Sequence, residues 1–326
     1  MKVVGYYNSF AEGNALDKLF LSPVTHINYA FLLPNEDGTV FFYNDKNVRD
    51  VVSFAHNNGK KVFVSVGGFC NKDKLLSDVF EKICSDNEKI KQFAQSVIQK
   101  VDEYDFDGVD LDWEFPTYNF IDSYEVLTRI LSESMHTMNK KFTIAVHRAV
   151  MGEPKERRIV AVTDKVVEMA DWLNIMTYDS SEEQNHSSVD RCIKCYAYWH
   201  NIRKVPGDKL LVGAAFYARP SEKPYYELIS EDLQNYSRDL YNGNSYNGSF
   251  TVKEKVRFSK HFCGGLIIWA INYDSLDNTS LLRAINDELW WKTGHFDRFF
   301  DFLFDNRCFW CYYIPSVIRL IVVINA

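Results

Sequence analysis

Three acidic side chains, Asp110, Asp112 and Glu114, stand at i, i+2 and i+4 within Asp107-Gly-Val-Asp-Leu-Asp-Trp-Glu114. On an extended strand, alternate residues share a face and lie about 6.5–7 Å apart. All three carboxyls therefore point one way, while Val109, Leu111 and Trp113 point the other. Asp107 falls off that parity and reads as support for the start of the strand. Three anions crowded into a low-dielectric space cannot all ionise cheaply, so at least one should hold a proton at neutral pH, with coupled titrations. A carboxyl that keeps its proton can act as a general acid. A solvated charge run would not alternate with bulky apolar residues. Three carboxylates could also hold a divalent cation, which is the stronger competitor. The proton relay is the preferred reading, and no metal or other cofactor is expected.

Such a relay needs a strand enclosed on both faces. Short β-rich runs recur at Lys2–Tyr7, His26–Leu32, Lys61–Val66, Gly108–Glu114, Phe142–Val146, Trp172–Tyr178, Lys209–Tyr217 and Gly264–Ala270. Amphipathic helical stretches fall between them, among them Asp45–Asn58, Asn87–Tyr104, Ser123–Met138 and Arg158–Ala170, with Ser280–Leu289 last. Alternation of this kind implies parallel strands with helical crossovers. Eight repeats suggest closure into a (β/α)8 TIM barrel, whose active sites form at the carboxyl ends of the strands. Glu114 comes last in the fourth run, just before Phe115-Pro116, and so belongs at that rim. The chain then divides into a barrel over 1–290 and an extension over 291–326.

Between the seventh and eighth runs, residues 218–262 exceed a simple loop plus helix, and Asn242 to Ser249 reads as turns. A short insertion is expected there. The extension ends in an apolar stretch from Cys308 to Ala326, interrupted by Pro315 and Arg319. Its length approaches the roughly 20 residues of a membrane helix. Packing on the barrel or a poorly folded end is preferred over membrane contact. The start of the chain shows no charged segment followed by an apolar run, so no signal peptide is expected. A cytoplasmic location is the default, with non-classical secretion and tail anchoring left open.

Composition narrows the partners. The net charge of −7 argues against nucleic acid, which needs a basic surface. Aromatic residues make up 15% of the chain and could be core or flat platforms for sugar rings. Seven cysteines include Cys192-Ile-Lys-Cys195 and Cys308-Phe-Trp-Cys311, each with metal-ligand spacing. Unrelated reduced thiols are the preferred reading.

The stretch DGVDLDWE resembles the D-x-x-D-x-D-x-E signature of glycoside hydrolase family 18, the chitinases and their relatives. Ser65-Val-Gly-Gly68 resembles the family's S-x-G-G element at the third strand, and Met176-Thr-Tyr-Asp179 its M-x-Y-D element at the sixth. Gly5-Tyr6, Asn28-Tyr-Ala-Phe31 and Trp269 also fall where the family would have them. The resemblance covers residues 3 to about 289 and leaves the extension out.

What the resemblance implies is hydrolysis of chitin or N-acetylglucosamine oligomers with retention. The family is an exception to paired-carboxylate catalysis and works by substrate assistance. Glu114 would protonate the glycosidic oxygen and later deprotonate water. Asp112 would accept from the acetamido N–H, and Asp110 would share a proton with it. Tyr178 would donate to the acetamido oxygen. Asp179 would contact the same sugar or tune the site, and Trp269 would form the floor. Tyr6, Ser65 and Gly67 would belong to the substrate-binding set, with Tyr6 and Ser65 also in reach of Asp110 and Gly67 leaving room near the acids. Phe31, Met176, Tyr217 and Arg219 would meet the substrate, and Gly68 belongs to the structural motif. Val146-His-Arg148 departs from the family, where small residues or proline are usual; His147 could narrow the cleft or add a polar contact. The short insertion favours an open cleft and endo cleavage. Two alternatives are set beside it: a non-catalytic chitin-binding lectin of the same fold, whose relatives typically lack the acid at the Glu114 position or its neighbours, and an endo-β-N-acetylglucosaminidase acting on peptidoglycan or N-glycans, though Tyr178-Asp179 resembles the chitinase pattern more than that of the N-glycan cleavers.

Overall fold

The computed structural model describes residues 1–11, 22–150, 158–180 and 184–290. The extension over 291–326, with Cys308, Cys311, Pro315 and Arg319, lies outside the described residues. Eight strands follow one another: β1 (Lys2–Asn8), β2 (His26–Pro34), β3 (Lys61–Gly68), β4 (Gly108–Trp113), β5 (Lys141–His147), β6 (Trp172–Met176), β7 (Leu210–Ala215) and β8 (Gly265–Trp269). Each pairs in parallel with the next. β8 returns to β1, with Val3 opposite Leu266 and Val4 opposite Ile267, so the sheet closes. Strands covered on both faces are buried along nearly their whole length, as parallel sheets require.

The helices are α1 (Val48–Asn57), α2 (Leu76–Cys84), α3 (Asn87–Tyr104), α4 (Ile121–Thr137), α5 (Asp164–Met169), α6 (Val189–Ala197), α7 (Tyr225–Glu231), α8 (Ser249–Phe262) and α9 (Leu281–Trp290). α5 is shorter than the expected 158–170. Thr163 ends its approach by accepting from the Val166 N–H at 3.4 Å, an N-cap that starts the helix there. No helix among the described residues is long and apolar enough to cross a membrane.

The parity expected of β4 holds. Trp113 faces outward, stacks on Phe80 of α2 at 5.0 Å and meets Tyr124 of α4 edge-on at 5.6 Å. Its indole N–H donates to Ser77 Oγ at 3.1 Å. At the other end of β4, Asp107 accepts from Lys61 Nζ, the Val62 N–H and His56 Nε2 at 2.7, 2.9 and 2.9 Å. Burial alone would raise its carboxyl, but these three bonds outweigh it and hold the group below the usual range. Asp107 thus ties β3 and α1 to the start of β4, far from the carboxyl rim.

Gly67 differs from expectation. A Cβ there would lie 2.2 Å from the Asp112 carbonyl oxygen and 2.9 Å from the Phe80 ring, and φ is +117°. The glycine permits β3 and β4 to approach and does not open space in the cleft. Gly68, also at positive φ, backs onto the Phe31 ring. Residues 218–262 hold α7, a two-residue hairpin pairing Tyr241 with Asn244, and α8. Asn242 and Gly243 both have positive φ, as a type I′ turn demands.

Candidate active site

Asp110 lies at the centre of the barrel with no exposed surface. The register sets it opposite Ser65 of β3 and Thr143 of β5. Oδ2 accepts from Tyr6 OH at 2.8 Å and Ser65 Oγ at 2.9 Å. Oδ1 accepts from Thr143 Oγ1 at 2.7 Å and Asn174 Nδ2 at 2.8 Å. Burial raises this carboxyl, and the four donors oppose the rise without cancelling it. Deleting one donor leaves a buried acceptor short of a bond, which costs about 1–3 kcal/mol. Thr143→Val, nearly isosteric, is therefore expected to lower unfolding stability by about that amount in urea titration. An unchanged midpoint would count against the network.

Asp112 is two residues nearer the rim and still only 3% exposed. Its Oδ1 has no hydrogen-bond partner. Burial first, then the neighbouring charges of Glu114 and Asp110, push its carboxyl well above the usual range. Asp112 therefore favours its proton, while the hydrogen-bond donors converge on Asp110. Glu114 stands half-buried at the cleft floor and is raised to about 7, by burial and by the Asp179 charge, against a downward pull from Arg158. A reaction that needs Glu114 protonated should lose kcat/KM as pH rises through about 7. A rate constant to pH 9 would remove Glu114 from the acid role.

Tyr178 lies just beyond β6. Burial and the charges of Asp112, Glu114, Asp179 and Asp110 keep its phenol well above the usual range, so it stays a donor. The ring fits because β7 offers glycine: a Cβ on Gly213 would be 2.7 Å from it. Asp179 follows at φ +61°. Its Oδ1 accepts from Tyr217 OH and Arg219 Nε, each at 2.7 Å, and Oδ2 from Arg219 Nη2 at 3.1 Å. Burial would raise Asp179; the bonds from His186, Arg219 and Tyr217 win and hold it far below the usual range. Tyr217 and Arg219 thus clamp Asp179, and Asp179 in turn raises Glu114.

A cleft of about 490 Å³ opens over these groups. Its lining brings together Tyr6, Phe31, Asp112, Glu114, Met176, Tyr178, Asp179, Tyr217, Arg219 and Trp269. Trp269 stacks on Phe31 at 5.6 Å and tilts against Tyr6 at 5.6 Å, giving an aromatic floor. Asp110, Ser65, Gly67 and Gly68 do not line the cleft and act from beneath it. His147, Arg148 and Arg158 form part of one wall.

Four contributors escaped the sequence reading. Thr143 looks like any β-branched strand residue. Gly213 and His186 act on Tyr178 and Asp179 only through the fold. Asn174 did leave a signal: it is a polar residue inside the apolar run Trp172–Met176, on the same parity as Met176. Cys192 and Cys195 are buried on α6, where Cys192 Sγ lies 3.0 Å from Thr177 Oγ1. Among the described residues, no group of three or more His, Cys, Asp or Glu could hold a metal ion.

The family pattern described as "Glycosyl hydrolases family 18" matches residues 2–274. Nod factor hydrolase protein 1 of Medicago truncatula is 26% identical, over 78% of this chain and 81% of its own. Class V chitinase CHIT5b of the same plant is 24% identical, over 85% and 88%. The crystal structure of the chitinase ChiB from Flavobacterium johnsoniae has a TM-score of 0.76 at 24% identity, over 88% of this chain and 93% of that one.

Proposed function

The chain belongs to glycosyl hydrolase family 18, and from that membership we propose that it is a retaining, endo-acting chitinase using substrate assistance. The observation that carries the reading is the unequal state of four neighbouring carboxyls. Asp110 is wrapped by four donors, Asp112 favours its proton, Glu114 is raised to about 7, and Asp179 is clamped by Arg219 and Tyr217. A paired-carboxylate mechanism needs a second, ionised carboxylate free to attack the sugar or to activate a water. Asp112 favours the protonated form, and Asp179 is engaged. The acetamido oxygen of the sugar is left as the nucleophile.

The steps follow from that division. The sugar rests on Trp269. Glu114 gives its proton to the glycosidic oxygen as the acetamido oxygen attacks the anomeric carbon, and the leaving sugar departs with that proton. Tyr178 donates to the acetamido oxygen and holds it in line. Asp112 accepts from the acetamido N–H and stabilises the cyclic oxazolinium cation. Its own proton can pass to Asp110, because three of the four groups on Asp110 are hydroxyls, which can turn from donor to acceptor. Glu114 then takes a proton from water, which opens the ring from the face the leaving group left. The short insertion between β7 and β8 supports endo cleavage. The names of the Medicago relatives agree with action on a glycan.

The test is a product profile on chitin oligomers of defined length, beside an N-glycoprotein and cell-wall glycan. The expected first product is the β-anomer of a shorter N-acetylglucosamine oligomer, read by NMR early in turnover. An α-anomer would exclude substrate assistance. Binding without cleavage would make the protein a lectin, and cleavage of the N-glycoprotein alone would move the substrate class.

A further inference from the structure

The backbone ladder between β6 and β7 runs from Leu173 opposite Leu210 to Ile175 opposite Val212 and stops there. The Thr177 N–H turns back to the Ile175 carbonyl at 2.8 Å. The Thr177 side chain takes the ladder's place: its Oγ1 accepts from the Gly213 N–H and donates to the Gly213 carbonyl, each at 2.9 Å. Tyr178 comes next. Its ring lies against the bare face of Gly213 and meets Tyr217 edge-on at 6.2 Å. The reach of the phenol into the cleft is thus set at one glycine by side-chain bonds, where strand pairing has ended.

A second side chain closes on the same glycine. Lys255 of α8 has no exposed surface. Its Nζ donates to the Gly213 carbonyl at 2.8 Å, to Ser187 Oγ at 2.7 Å and to Asn247 Oδ1 at 3.0 Å. The Cys192 thiol is a weaker neighbour, 3.8 Å from that carbonyl. Asn247 is held in turn, since Oδ1 accepts from the Ala215 N–H at 3.2 Å and Nδ2 donates to the Ser187 carbonyl at 2.8 Å. Ser187 stands just before α6, so one ammonium gathers β7, the approach to α6 and α8. Burial pulls that ammonium below its ordinary range, against Cys192, Asp239 and Cys195.

A buried charge is costly, and an apolar chain of the same length would fill this place without that cost. Each acceptor would keep another donor: Thr177 for the Gly213 carbonyl, and the Ala215 N–H and Ser187 hydroxyl for Asn247 Oδ1. What the apolar chain would not supply is the second strong donor on the Gly213 carbonyl. Donors arriving from β6 and from α8 together fix the direction of that peptide.

We propose that Lys255 is a positioning residue for the reaction: with Thr177 it fixes the Gly213 peptide, and through it the line along which Tyr178 donates to the acetamido oxygen. The inference rests on the reading of Tyr178 as that donor and deepens it.

The test is a double-mutant cycle on N-acetylglucosamine oligomers. Lys255→Met is expected to lower kcat about tenfold, because a shift of a fraction of an ångström at a reacting group is felt on that scale. KM should change by less than about twofold, as when an interaction made only in the transition state is lost. In the Tyr178→Phe background there is no phenol left to aim, so Lys255→Met should cost almost nothing further. Lys255→Gln keeps a neutral donor and should recover part of the rate; it carries the same cycle if the methionine variant does not fold. Thr177→Val should resemble Lys255→Met, and Thr177→Ser, which keeps the hydroxyl, should stay near the parent.

Equal penalties with and without the phenol would overturn the inference and leave the role of Tyr178 standing. A lowered melting temperature with kcat unchanged would overturn it too, and make Lys255 a support of the fold alone. Tyr178→Phe turning over as fast as the parent would instead remove Tyr178 from the proposed function, and this inference with it.

Discussion

Glu114→Gln is expected to bind N-acetylglucosamine oligomers and to turn them over about 10²–10⁴-fold more slowly, the usual share of a general acid. The amide keeps the shape of the side chain and has no proton to give. The proposed substrate contacts through Trp269, Tyr178 and Asp112 would survive, so the dissociation constant should change little while kcat falls. Stability should move the other way at high pH. The Glu114 carboxyl is raised from its ordinary 4.5 to about 7 in the fold. Its contribution to stability is therefore fully present below the ordinary value and lost as pH rises through about 7. Glutamine does not ionise. The melting temperatures of parent and variant should differ most in the variant's favour above pH 7 and converge near pH 4, where both side chains are neutral. Parent-like turnover in the variant would remove Glu114 from the acid role, whatever the melting curves show.

The parts of this site that were legible in the sequence are those set by period. A two-residue repeat of acids against Val109, Leu111 and Trp113 places carboxyls inside and the indole outside, and Trp113 does pack on Phe80 and Tyr124. Strand ends were equally readable, because Glu114 and Tyr178 close β-rich runs, Trp269 stands one residue before the end of another, and all reach the cleft. Groups that act across the barrel were not readable. Asn174 reaches Asp110 over 64 positions of sequence, and Thr143 over 33. Their residue types are ordinary for strands, and only closure of the sheet brings them to the acid. Gly67 was misread for a related reason. Parity assigns a face to a side chain, but a glycine has none, and its φ of +117° and contact with the Asp112 carbonyl belong to backbone packing. Tyr217 and Arg219 were legible as cleft residues, yet their clamp on Asp179 depends on the left-handed turn at that residue.

Asp112→Asn is expected to lower turnover of acetylated oligomers by about 10²–10³-fold, the scale seen when one preorganised charge-stabilising group is removed. The physical reason lies in an oxygen with nothing to bond. Asp112 Oδ1 is buried and has no partner, a costly state that an arriving acetamido N–H would relieve. Asparagine fills the same space but replaces one oxygen with a donor, and it cannot become an anion opposite the developing cation. Its remaining oxygen can still accept the N–H, so binding should weaken less than turnover. The substrate supplies the control. A fully deacetylated chain has neither the amide N–H nor the attacking oxygen, so the parent should cleave it poorly, and the Asp112→Asn penalty should nearly vanish on it. Measuring parent and variant on both chains isolates the coupling between this carboxyl and that amide. A penalty of the same size on both chains would mean that Asp112 acts on something other than the acetamido group. A parent that cut the deacetylated chain as fast as chitin would refute assistance by the substrate altogether.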